Sequence, residues 1–114
     1  MARRVADRSR KVPESAELRR LRQRIDALDR RIVGLLNERA DLARDAGRAK
    51  RAAGRRGIRD AEREREVLLR VTMANSGPLP QADLLALYRR LMTATRALEA
   101  RDRAREETRG GDDD

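Results

Sequence analysis

The chain holds no Cys and no His, so the side chains left to do chemistry are carboxylates, arginines and the two lysines, Lys11 and Lys50. Disulfides, thiol nucleophiles, Ser-His triads and nearly every transition-metal site are thereby removed, and neither a metal nor a cofactor is expected. Any catalysis must rest on placed charge.

The placement is unusual, because polar residues fall where helical periodicity calls for apolar ones. Leu18, Leu21, Ile25, Leu28, Ile32, Leu35, Leu42 and Ala46 recur at spacings of three and four, and Arg39 occupies a slot of that stripe. At 100° per residue Arg39 and Lys50 lie within about 20° on one helix face, roughly 16 Å apart along the axis. Glu64 falls between Ala61 and Leu68 on the inward face of the next periodic segment, with Arg63 beside it. Thr95 and Glu99 form an i, i+4 pair on the side of Tyr88 and Met92. A buried charge costs several kcal/mol unless it is paired. These groups therefore either pair internally, Arg39 with Glu64 for example, or meet an anionic ligand. Arg22 precedes Arg39 by roughly 25 Å of helix and about 100° of rotation, so the two cannot meet within one straight helix. They could meet between two antiparallel copies.

The elements that must position these residues are helical. No run of alternating β-branched residues occurs, and Pro13, Pro78 and Pro80 all lie near helix ends, which makes the chain all-α. Ser15 is a fitting N-cap for a first helix over 17–51. That rod of roughly 52 Å cannot bury its stripe against a short partner. Gly34 and Gly47 within it each mark a place where another body could come close. Gly54 to Gly57 forms a loop, Asp60 caps a second helix that ends at Asn75–Pro78, and a third runs from about Pro80 to about Arg103. The expected organisation is a disordered basic arm over 1–13, a helical domain over 14–104 and a disordered acidic tail over 105–114. Neither tail has an apolar pattern with which to pack.

Composition narrows the partners. With 114 residues, 39% hydrophobic content and one aromatic, Tyr88, the core is modest and association would help complete it. The net charge of +9 resides in residues 17–101, since the two ends cancel, and suits an anionic ligand, either nucleic acid or a small polycarboxylate. It also follows from an Arg-rich composition alone. No apolar stretch reaches membrane-spanning length and no signal peptide is legible, so a cytoplasmic location is the default.

Leu21-Arg22-x-x-Ile25-Asp26-x-Leu28-Asp29, Leu35-Leu36-Asn37-Glu38-Arg39-x-x-Leu42, Gly47-Arg48-Ala49-Lys50 and Arg59-Asp60-x-x-Arg63-Glu64 together resemble the AroQ-type, all-helical chorismate mutases over roughly residues 17–100. The resemblance implies three helices per chain with a long first helix, an intertwined antiparallel homodimer, and rearrangement of chorismate to prephenate in aromatic amino-acid biosynthesis. By that resemblance Arg39, Arg63 and a partner chain's Arg22 would hold the two substrate carboxylates, and Thr95 would contact one of them. Lys50 would reach a carboxylate and the ether oxygen, Glu99 the ether oxygen, and Asp60 and Glu64 the ring hydroxyl region. Lys50, Glu99 and Arg39 would be catalytic. Thr95 stands where many members have Ser, and Glu99 where many have Gln. The stretch Asn75–Pro80 resembles the turn of members that work with DAHP synthase, implying association with that enzyme. Alternatives are a mutase or lyase acting on aminodeoxychorismate or isochorismate, a regulatory partner of DAHP synthase, and an Arg-rich nucleic-acid-binding module. The last is disfavoured by the lack of interleaved aromatics.

Overall fold

A computed structural model describes residues 13–55, 57 and 59–112. Among them lie three helices, α1 (Ala16–Ala52), α2 (Ala61–Ala74) and α3 (Gln81–Asp112), and no strand. The all-α expectation holds. Met1–Val12, most of the expected basic arm, falls outside the described residues, as do 113–114.

Each helix begins and ends for a local reason. The Ser15 hydroxyl accepts the Leu18 N–H at 3.1 Å, supplying one of the acceptors that the first turn of α1 lacks. Gly54 adopts φ +84°, a left-handed conformation costly for any residue with a Cβ, and α1 stops there. The Asp60 carboxylate caps α2 by accepting the Arg63 N–H at 3.0 Å. Asn75 closes α2 and organises the turn that follows. Its amide donates to the Leu79 carbonyl at 3.1 Å and to Gln81 Oε1 at 3.0 Å, while its oxygen accepts the Gly77 N–H at 3.1 Å. Gly77 has φ +88° and precedes a cis bond to Pro78.

The helix α3 runs past the expected ending near Arg103 and takes in most of the expected tail over 105–114. The helix continues to Asp112. What extends it is charge pairing, to which apolar periodicity is blind. Glu106 takes two nitrogens of Arg51 on α1, Arg103 pairs with Glu107 one turn on at 3.2 Å, and the Thr108 hydroxyl bonds back to the Ala104 carbonyl.

By its contacts the chain divides at Glu38/Arg39. In the first unit the apolar stripe of α1 lies open, with Ile25 55% and Leu35 58% exposed, and Arg22 pairs with Glu14 at 2.6 Å. No side chain comes within 4 Å of the place where Gly34 would carry a Cβ. The second unit comprises the end of α1, α2 and α3. Its most buried side chains lie in one row of α3, namely Met92, Thr95, Glu99 and Asp102. Asp102 anchors that row to α1 by a two-point pair with Arg44, Nε to Oδ2 at 2.9 Å and Nη2 to Oδ1 at 3.0 Å.

Candidate active site

Met92, Thr95 and Glu99 of that row form one wall of a cavity of about 370 Å³ inside the second unit. From α1 come Arg39, Leu42, Ala43, Ala46 and Lys50; from the start of α2, Asp60, Arg63, Glu64 and Val67; from α3, Met92, Thr95, Arg96 and Glu99. The sequence-derived candidates Arg39, Lys50, Asp60, Arg63, Glu64, Thr95 and Glu99 thus border one space. Arg22 belongs to the first unit, where Glu14 holds it. Neither Arg39 nor Lys50 makes an ion pair with any described residue. Arg39 instead lies over the Tyr88 ring, 5.8 Å from its centroid, a contact worth about 0.5–1 kcal/mol at an exposed site.

The internal pair Arg39–Glu64 does not form. Glu64 is taken by two other arginines: Arg59 Nε donates to Oε1 at 3.2 Å, and Arg96 Nη1 donates to Oε2. Arg96 also reaches Thr93 Oγ1 at 3.1 Å. Sequence reasoning missed Arg96, because one position after Thr95 it lies about 100° around the helix from the stripe. Arg44 lay off the stripe as well, whereas Asp102 and Glu106 continue the spacing of Thr95 and Glu99 by steps of three and four and were not singled out.

Charge and burial set the protonation states. The Arg63 backbone N–H, and secondarily the Arg55 and Lys50 charges, hold the Asp60 carboxyl below the usual carboxylate range. Glu99 is only 7% exposed, and burial pushes its carboxyl up against the opposing cations Lys50, Arg51 and Arg96. The like charge of Asp102, one turn on, pushes the same way. Gly47 packs closely here: a Cβ on it would stand 3.4 Å from Glu99 Oε1 and 3.3 Å from Arg51 Nη1, which would have to shift by a few tenths of an ångström. The Thr95 hydroxyl donates to the Leu91 carbonyl at 2.9 Å, so serving an anion requires it to turn its proton toward the cavity. Arg63 sits at the rim, bonded to Glu66 at 3.0 Å. Exchanging that exposed pair for a ligand carboxylate forfeits only about 0.2–1 kcal/mol.

The arrangement suits a small anion with a second polar end. Guanidinium forks match carboxylates, a compact ammonium beside a protonable carboxyl can stabilise charge developing on one oxygen, and apolar walls limit water. No group of three or more acidic side chains among the described residues is arranged to hold a metal ion. No described helix is long and apolar enough to cross a membrane.

Comparison with known proteins bears on the same segment. The family described as chorismate mutase type II matches residues 21–100. A bifunctional chorismate mutase/prephenate dehydratase of Stutzerimonas stutzeri is 38% identical over 90 residues, 75% of this chain and 25% of that protein. The enzyme of the same description from Aquifex aeolicus is 40% identical over 87 residues, 73% of this chain and 24% of that protein. The chain thus spans about a quarter of the length of these relatives. A solved structure of chorismate mutase (form II) from Thermus thermophilus superposes with a TM-score of 0.70 at 33% identity, covering 75% of this chain and 96% of that one.

Proposed function

The chain belongs to the type II chorismate mutase family, and from that premise we propose that it rearranges chorismate to prephenate as an antiparallel homodimer. The observation that carries the reading is the cavity itself. It holds two cations without ion-pair partners among the described residues, Arg39 and Lys50, beside a buried carboxyl that is held toward its neutral form, Glu99.

The rearrangement is concerted, so the protein has only to hold a compact conformer and stabilise charge as the ether bond breaks. Arg39 and Arg63, with Arg22 of a second copy, bind the two carboxylates. Lys50 donates to the ether oxygen, which can only accept, and Glu99 does so in its protonated form. Thr95 adds a donor to one carboxylate. The Asp60 and Glu64 carboxylates accept from the ring hydroxyl, and Arg96 and Arg59 hold Glu64 in place for this. The dimer is supported by the open stripe of the first unit, since a large aliphatic side chain taken fully out of water gains about 1.5–3 kcal/mol. Association with DAHP synthase would use the Asn75–Pro80 turn, where Leu79 stands open.

The test is to incubate purified protein with chorismate, aminodeoxychorismate and isochorismate in separate reactions and identify each product. Prephenate from chorismate alone is the expected result. Turnover of only an amino or iso substrate, or of none, would reject the assignment.

A further inference from the structure

Glu106 lies past the segment shared with the family, on the part of α3 that the sequence pattern assigns to a solvated tail. Its carboxylate nevertheless makes a two-point pair with Arg51, Nε to Oε2 at 2.7 Å and Nη2 to Oε1 at 2.8 Å. Arg51 is the residue after Lys50. Its third nitrogen, Nη1, and the Glu99 carboxyl flank the same open space over Gly47. A guanidinium this close to a buried carboxyl would ordinarily turn to it, because a two-point Arg–carboxylate pair is stronger than the same cation left to water. We propose that Glu106 is a positioning residue of the active site, holding the Arg51 guanidinium in a competing two-point pair and so keeping it off the Glu99 carboxyl.

The consequence follows from the groups around Glu99. Lys50 and Arg51 face it from α1, Arg96 and Asp102 from α3, and Arg39, Arg63 and Glu64 complete the cavity it borders. Arg51 and Glu99 both stand beside the Cβ position of Gly47, and Glu106 takes two of the three Arg51 guanidinium nitrogens, leaving Nη1 on that side. Released, Arg51 would become a direct partner and hold Glu99 ionised. An ionised Glu99 cannot donate to an ether oxygen. This inference rests on the proposed function only where it concerns turnover; the hold on Arg51 stands apart from it.

The experiment uses the full chain as wild type, Glu106→Gln, Arg51→Gln and the double variant. The Glu99 carboxyl is titrated by NMR without substrate, and turnover of chorismate is followed against pH. Glu106→Gln is expected to move the Glu99 titration to lower pH and to cut turnover on the alkaline side on the order of tenfold, a fraction of what losing a transition-state donor costs. Arg51→Gln and the double variant should titrate Glu99 alike, since without the guanidinium there is nothing for Glu106 to hold. An unmoved titration in Glu106→Gln would overturn the proposal. So would an equal shift in the Arg51→Gln background, which would mean that Glu106 acts by its own charge. A shifted titration with an unmoved rate profile would uphold the hold on Arg51 and overturn the role of Glu99 at the ether oxygen.

Discussion

The two units of the chain invert the usual rule in opposite directions. Residues 13–38 leave their aliphatic stripe open, with Ile25, Leu28, Ile32 and Leu35 each more than half exposed, and the ion pair of Arg22 with Glu14 is local. Residues 39–112 put polar side chains in their most buried row, where Thr95, Glu99 and Asp102 accompany a single apolar member, Met92. Open apolar surface without polar function is what an interface needs, because only contact with another apolar surface recovers its hydration cost. Buried polar groups, two of them bordering a cavity, are what a site needs, because their desolvation is tolerated only where partners or a ligand offset it. The contrast matches the proposed division of labour, association for the first unit and chemistry for the second.

Breaking the first half of that contrast should have the largest effect. Ile25→Glu together with Ile32→Glu places two charges on the open stripe and should abolish both association, read by sedimentation, and turnover. A monodisperse dimer with full activity would show that the stripe is not the interface. In the complementary mixing experiment, an Arg22→Ala chain combined with an Arg39→Ala chain should recover activity that neither has alone, because one site of the mixed dimer escapes both lesions. No recovery despite proven subunit exchange would remove Arg22 from the site.

The second half is sharpened by Lys50→Ala. If Lys50 acts on charge that develops only in the transition state, turnover should fall on the order of 100-fold or more. Thermal stability should hold or rise, since an inward cation with no ion pair among the described residues is gone. A variant that is active but markedly less stable would make Lys50 a structural residue instead.

The smallest effect on rate, and a clear one on stability, is expected from Asp102→Asn. Asp102 anchors the polar row to Arg44 and borders no part of the cavity, so turnover should change less than threefold while Tm falls at neutral pH. Its hydrogen bonds with Arg44, and then the Arg44 charge, hold the Asp102 carboxyl below the usual range. The stabilisation it gives is therefore present above the ordinary carboxylate value of about 3.9 and is lost as pH falls through the lower, folded-state value. The gap in Tm between wild type and Asp102→Asn should close on acidification, and a gap that stays constant from neutral pH down through that window would rule out this linkage.

The sequence by itself determined what depends on neighbours along the chain. Helix starts at Ser15 and Asp60, the stops at Gly54 and Asn75, and the inward slots of Arg39, Lys50, Glu64, Thr95 and Glu99 follow from capping chemistry and a period of 3.6. Only the tertiary structure decided which charge meets which. With 29 basic and 20 acidic residues, almost any pairing is chemically acceptable, and the choice is fixed by how α1, α2 and α3 lie against one another in the second unit. Glu64 pairs with Arg96 rather than Arg39, and Arg39 lies over the Tyr88 ring without an ion pair among the described residues. Asp102 meets Arg44 and Glu106 meets Arg51 across 58 and 55 positions of sequence. Periodicity assigned the end of α3 to a disordered tail because it registers apolar faces and is blind to an ionic contact such as that of Glu106 with Arg51 on α1. The Glu99 carboxyl shows the same division. Its place on the stripe was legible, but the balance between burial and the cations of Lys50, Arg51 and Arg96 depends on distances that no spacing in the chain encodes.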